Sequence, residues 1–252
     1  MNHWRYIPTI AASGKMQMAI DRYLLEQHRQ GKHPPTLRFY TWLPVAISLG
    51  YHQHDYPQFW HNLTWQDQAI DIVRRPTGGR AVLHQGDLTY AIVTSIPPGK
   101  RLDVYKQICQ FLISGWRSLG INLNYGTATK EYAQHPNCFT TATGADLVAA
   151  KGVKMIGSAQ LRRGNTVLQH GSMMLNVDRQ LYQQVFKTEF SQNLLEGIPS
   201  LKARTTLYPD NLLTGKIVSS LTQAAISIFK IDLVEQPLST KEWQYIANMG
   251  VK

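Results

Sequence analysis

The chain has 252 residues, 43% hydrophobic and 17% charged, with 18 Gly and 12 Pro; this composition excludes disordered, collagenous and low-complexity classes. Its 26 Lys and Arg against 16 Asp and Glu give a net charge of +10, which suggests a polyanion, an anionic surface or an acidic protein as partner and says nothing of fold. Two cysteines, Cys109 and Cys138, are too few for a disulfide framework. Apolar runs such as Leu43–Leu49 are far short of a membrane span, and Met1–Ile10 lacks a signal pattern, so no membrane association and a reducing, cytoplasmic setting are expected.

In chain order, a first helix is predicted from Lys15 to about Gln30. Met16, Ile20, Tyr23, Leu24 and Gln27 share one face, Ser13 caps the start, and Gly31 with Pro34-Pro35 stops it. Leu37–Trp42 and Val45–Leu49 read as strands on either side of Pro44. Tyr51–Asn62 reads as an ordered loop, and Asp67–Val73 as helix and strand edge. Ala81–His84 and Thr89–Thr94 read as a strand pair around Gln85-Gly86-Asp87. Asp103–Leu119 is the clearest helix, with Tyr105, Ile108, Leu112, Trp116 and Leu119 at helical spacing, Asp103 as N-cap and Gly120 at the end. Ile121–Leu123 begins a strand. Ala145–Ala150, Lys154–Gln160 and Thr166–Leu175 read as three more, and helices are expected near 178–187, 210–229 and 239–249. The mixture lacks a βαβ rhythm. It predicts an α+β single domain over 1–252, with mixed β-sheets flanked by helices.

Three segments and one cysteine can carry chemistry. In Arg74–His84, Gly78 and Gly79 admit close approach of a ligand and the arginines supply charge. The segment matches neither a P-loop nor a dinucleotide fingerprint, and local physics leaves a basic turn equally open. Gly157, Ser158 and Ala159 leave a groove along a strand that could border a slot for a linear apolar chain; close packing against a helix is the simpler reading of these residues alone. His170 and Gly171 lie on the following strand, where a single His is usually structural. Cys109 sits on an apolar helix face and reads as a small buried hydrophobe. Cys138 sits in a turn-like stretch, where a neighbouring cation such as His135 or Lys154 would lower a thiol's pKa; from this stretch alone an inert thiol is the safer reading. There is no His-Glu-x-x-His, no Cys-x-x-Cys and no Gly-x-Ser-x-Gly. This argues against metal binding and against a serine hydrolase of that type.

Together, Arg74–His84, Lys154–Gln160 and Leu168–Leu175 resemble three ordered motifs of the biotin/lipoate protein ligase superfamily: Arg-Arg-x-Ser/Thr-Gly-Gly-x-Ala-Val-x-His, Lys-x-x-Gly-Ser-Ala and His-Gly-Ser/Thr-x-Leu. Ile47–Gln53 is similar to the strand and turn before the first of them. The resemblance runs from about residue 18 to 213, leaving a helical C-terminal segment over 214–252. Asn137-Cys138-Phe139, Gly-Ser-Ala-Gln at 157–160 and Leu-Gln-His-Gly-Ser at 168–172 are most similar to the octanoyltransferases of Gram-positive bacteria. One departure stands out. The family's Pro-Ser-x-Tyr-Glu-Leu run is replaced by Thr140–Leu147, with Asp146 as candidate for the acidic position.

The resemblance implies the biotin/lipoyl protein ligase catalytic fold. It implies transfer of octanoyl from octanoyl-acyl carrier protein to a lysine of lipoyl domains or the glycine-cleavage H protein. Cys138 would carry the acyl group as a thioester, and Lys154 would favour the thiolate and stabilise the oxyanion. Arg75, Thr77, Gly78, Gly79, Arg80, His84, Gly157, Ser158, Ala159, His170 and Gly171 would bind the acyl substrate, His84 and His170 by positioning the carbonyl or lining the pocket. Thioester to amide runs downhill, so no cofactor, ATP or metal is implied, and no nucleic acid. Three alternatives stand beside this reading: an ATP-dependent lipoate ligase, an amidotransferase drawing on the H protein, and a non-catalytic module that binds the same acidic partners.

Overall fold

The computed structural model describes residues 2–126, 146–188 and 210–250. From the N-terminus, β1 (Asn2–Ala12) leads through α1 (Gly14–Arg29) into β2 (Thr36–Trp42) and β3 (Ala46–Leu49). There follow β4 (Thr64–Trp65), β5 (Gln68–Ala69), β6 (Asp71–Arg74), β7 (Val82–His84), β8 (Asp87–Ser95) and α2 (Arg101–Ser118). Then come β9 (Asn124–Tyr125), β10 (Leu147–Val148), β11 (Lys154–Arg163), β12 (Thr166–Met174) and α3 (Arg179–Phe186). The last described elements are α4 (Asp210–Phe229), β13 (Ile231–Glu235) and α5 (Thr240–Gly250).

Eight strands form one sheet in the order β13-β1-β2-β8-β12-β11-β10-β9, and β6-β3-β7 form a smaller one. The β13–β1 and β1–β2 pairs are parallel and the other neighbours in the large sheet antiparallel. Parallel β1 and β2 need a crossover between them, and α1 supplies it. Alternate residues of β8 face opposite layers. Leu88, Tyr90 and Ile92 join Phe111, Leu112 and Trp116 of α2 and Ile217 and Leu221 of α4, whereas Ala91 and Val93 join Ile20 and Leu24 of α1 and Ile246 of α5. The small sheet buries Ile47 and Leu49 against Leu181, Tyr182 and Val185 of α3. Strands and helices are thus mixed and layered as α+β.

Most predicted elements lie within a few residues of the observed ones. Ser13 caps α1, its hydroxyl accepting from the Met16 N–H at 3.3 Å. Five readings need correction. First, Ala81–His84 and Thr89–Thr94 do not pair: β7 pairs with β3 and β8 with β2 and β12, so both edges of β8 are taken. Second, the region read as helix and strand edge holds no helix: Gln66 and Asp67, with φ of 48° and 61°, close a tight β4–β5 hairpin, and β5 and β6 follow. Third, Asp103 is not the N-cap of α2. Lys100 is, and the Asp103 carboxylate accepts from its N–H at 3.2 Å. Fourth, strand pairing begins at Asn124 rather than Ile121. Fifth, Leu212–Phe229 is long and apolar enough to cross a membrane, a stretch the sequence reading passed over; in the fold its Leu213, Ile217, Leu221 and Ala225 are buried in the core shared with α2.

Strands β1 and β13 were not foreseen. In β1, adjacent Trp4 and Arg5 are both buried, which breaks the two-residue alternation. The β1–β2 register shifts between Ile7 and Ile10, where Pro8 has no N–H to donate.

Candidate active site

A cavity of about 470 Å³ opens where the two sheets meet, within the usual range of small-molecule sites. Val82 and His84 come to it from β7, Thr89 from β8, and Gly157–Gln160 and His170–Ser172 from β11 and β12. Met18 of α1 and Leu102 of α2 add apolar walls. Pairing explains the convergence: Gly157, Ser158 and Ala159 lie opposite Ser172, Gly171 and His170. Gly171 is required by close approach, since a Cβ there would stand 2.3 Å from Ser158 Oγ and 2.7 Å from Gly157 O.

The glycine pair is held by its own arginine. The Arg75 guanidinium donates to the carbonyls of Gly78 (2.9 Å), Arg80 (2.7 Å) and Ser48 (2.8 Å), and to Ser48 Oγ (3.1 Å). Gly79 has φ of +100°, a conformation that favours glycine. Gly50 packs so closely on it that a Cβ would stand 1.8 Å from Gly79 O. Arg75, Gly78 and Gly79 line the cavity, while the part of Arg80 seen in these bonds is its carbonyl.

Both cavity histidines are fixed by buried carboxylates. His170 Nδ1 is hydrogen-bonded to Asp21 Oδ2 at 2.8 Å, and its Nε2 to Thr77 Oγ1 at 2.6 Å. Asp21 also takes Arg38 at 2.9 Å and the Tyr40 hydroxyl at 3.2 Å. Burial pushes the Asp21 carboxyl up; Arg38 and the bonds from His170 and Tyr40 outweigh it, so the net direction is downward. His84 Nδ1 donates to Asp87 Oδ2 at 2.8 Å, and its Nε2 accepts from Ser48 Oγ at 2.8 Å. Burial pushes His84 down and Asp87 pulls it partly back, leaving it below its ordinary value and neutral near pH 7. Trp42 stacks on its ring with centroids 3.7 Å apart.

Lys154 is buried, with Nζ 2.9 Å from Asp146 Oδ2. Asp146 lines the cavity, and Lys154 is reached through it. Cys138 and His135 lie outside the described residues, as do positions 140–145. Cys109 is fully buried and accepts from Gln169 Nε2 at 3.2 Å. Burial pushes its thiol up to about 12, as suits a small packed side chain.

Residues 13–207 match the family described as the lipoyl protein ligase A/B catalytic domain. The chain belongs to that family. It is 34% identical over 254 aligned residues to octanoyltransferase LipM of Brevibacillus brevis, covering 96% of this chain and 83% of the relative. It is 39% identical over 182 residues to octanoyltransferase LipM of Carboxydothermus hydrogenoformans, covering 71% and 67%. Among solved structures, lipoate-protein ligase A bound with ATP superposes with a TM-score of 0.76 at 19% identity, over 100% of this chain and 95% of the other. A bipartite lipoate protein ligase from Thermoplasma acidophilum superposes with a TM-score of 0.73 at 19% identity, over 100% and 93%. These two share the fold.

Within this lipoyl protein ligase family member, Arg75, Gly78, Gly79, His84, Gly157, Ser158, Ala159, His170 and Gly171 all border one cavity. Thr77 reaches it through His170. Sequence reasoning did not single out Ser48, Asp21 or Asp87. Asp21 carried a signal: it stands between Met18 and Leu24 on the apolar face of α1, where an acid needs a buried partner.

Proposed function

We propose that this acyltransferase moves an octanoyl group from octanoyl-acyl carrier protein to a lysine of a lipoyl domain or the glycine-cleavage H protein. The whole chain acts as one cytoplasmic catalytic domain, with Cys138 carrying the acyl group between the two partners. The carrying observation is the cavity: three motifs far apart in sequence converge on one partly apolar slot, in a chain related to octanoyltransferases over nearly its full length. Cys138 precedes the cavity residue Asp146 by eight positions, within reach of the slot by chain length alone.

Cys138 attacks the donor thioester, the carrier's thiol leaves, and an acyl-cysteine forms. The acceptor lysine then displaces the cysteine and leaves an amide. Lys154 stands behind Asp146 on that side of the slot, paired with it at 2.9 Å, and in this reading its ammonium turns from the carboxylate to the oxyanion as the thioester is attacked. Gly157–Ala159 and Gly78-Gly79 leave room for the chain, at about 0.8 kcal/mol per buried methylene. The net charge of +10 favours encounter with acidic carrier and lipoyl domains.

The test is intact mass after incubation with octanoyl-acyl carrier protein in the absence of ATP. A hydroxylamine-labile octanoyl adduct, absent from Cys138→Ser, supports the covalent route. No adduct, with Cys138→Ser still attaching lipoate when ATP is supplied, would replace it with the ligase.

A further inference from the structure

We propose that Ser48, His84 and Asp87 form a second acyl-processing centre, a serine-type hydrolytic triad for medium-chain esters and thioesters that works independently of Cys138. The three are 36 and 3 positions apart in sequence and carry no Gly-x-Ser-x-Gly elbow; pairing of β3 with β7 brings Ser48 and His84 together. A triad is recognised by geometry and roles rather than by order in the chain.

The geometry has the nucleophile, the base and the orienting acid. Ser48 Oγ donates to His84 Nε2 at 2.8 Å, and His84 Nδ1 donates to Asp87 Oδ2 at 2.8 Å. Asp87 is oriented by the hydroxyls of Thr89, at 3.2 Å, and Ser172. The Trp42 ring holds the plane of the imidazole, and its own N–H is spent on Thr89 at 2.8 Å. Arg75 Nη1 donates to Ser48 Oγ at 3.1 Å, so a fixed positive charge favours the alkoxide. Ser48 and His84 both line the cavity, whose apolar walls suit a medium-length acyl chain. The Thr77–His170–Asp21 set looks alike and differs where it matters. Thr77 is not part of the described lining, and Asp21 is paired with Arg38.

In the step proposed, Ser48 Oγ bonds to the acyl carbon and its proton passes to His84 Nε2. The C–S or C–O bond breaks, and the leaving thiol or alcohol takes that proton. Water then gives a proton to His84 and attacks the acyl-serine; the serine recovers its proton, and a free fatty acid leaves.

The experiment uses the full-length Cys138→Ser protein and an octyl fluorophosphonate, read by intact mass and peptide mapping. One phosphonyl group on Ser48, with labelling slowed at least about 10²-fold by His84→Gln, is expected. Hydrolysis of p-nitrophenyl octanoate should fall in parallel. Because the map reads the label directly, the result does not depend on Ser48→Ala folding. An unlabelled Ser48 in folded protein, or labelling indifferent to His84→Gln, overturns the proposal. The Cys138 route is scored separately, by octanoyl adduct formation on wild type: an adduct with Ser48 unlabelled sinks the triad alone.

Discussion

Gly50→Ala tests how the glycine cradle is held. The new Cβ would stand 1.8 Å from Gly79 O, and ordinary contact begins at 3.4 Å, so one side must give by about 1.6 Å. Neither side is loose. Tyr51 N donates to Thr77 O at 2.9 Å, Arg75 N donates to Leu49 O at 3.0 Å, and the Arg75 guanidinium grips Gly78 O and Arg80 O. Forcing atoms into such a site costs about 1–3 kcal/mol, and losing a bond to a charged donor adds about 1.5–3. A total of about 3 kcal/mol lowers Tm by roughly 6–12 °C for a chain of this size. A displacement above 1 Å at a substrate-positioning loop costs about 10²-fold in kcat/KM. The assays are a thermal melt and octanoyl transfer to a lipoyl domain. Gly164→Ala is the control: its φ of +58° carries a backbone cost, about 1–2 kcal/mol, but a Cβ there meets nothing within 4 Å and transfer should persist. Gly50→Ala with wild-type Tm and transfer within about twofold would refute the account.

The remaining predictions concern thiols, charge and capping. Maleimide at pH 7 should leave Cys109 untouched in folded Cys138→Ser and modify it after denaturation, because burial holds its thiol at about 12; mass spectrometry checks this. Glu242→Gln should cost about 1–2 kcal/mol by chemical denaturation, since Arg5 loses a charged acceptor at a partly screened site. Burial pushes the Glu242 carboxyl up, but Arg5 and Ser239 outweigh it and hold it near 2. Its pKa is depressed in the fold, so the contribution is whole above the ordinary value of 4.5 and fades as pH falls toward 2. The stability difference between wild type and Glu242→Gln should narrow over that window. Ser13→Ala should cost about 1 kcal/mol through loss of the α1 cap, read from the denaturation midpoint.

Local physics made much of this protein legible in one dimension. Helical spacing at Tyr105, Ile108, Leu112 and Trp116 located α2, because a helix's buried stripe depends only on its own neighbours. Gly78-Gly79 and Gly157–Ala159 marked places with little side-chain volume, because absent side chains are visible in a sequence, although close backbone approaches fall at Gly50 and Gly171. What stayed hidden were partnerships. Arg5 in β1 reads as a surface cation, yet it is buried against Glu242, 237 positions away. Ser48 reads as one polar residue in a short strand. Its meaning depends on His84 and Asp87, which arrive through β3–β7 pairing and the turn into β8. The wrong pairing assigned to β7 had the same origin: a tight turn fixes proximity, but which edge a strand joins depends on which edges other strands have already taken.

The sequence by itself therefore determined the family, the order of the motifs and the small residues that open a slot, since these are properties of residue type and spacing. The tertiary structure alone decided that Thr77 meets His170, that Lys154 faces Asp146, and that Asp21 and Asp87 each hold one histidine ring by its Nδ1. Those roles arise where desolvation forces a buried charge or imidazole to find a partner, and the partner is chosen by the fold.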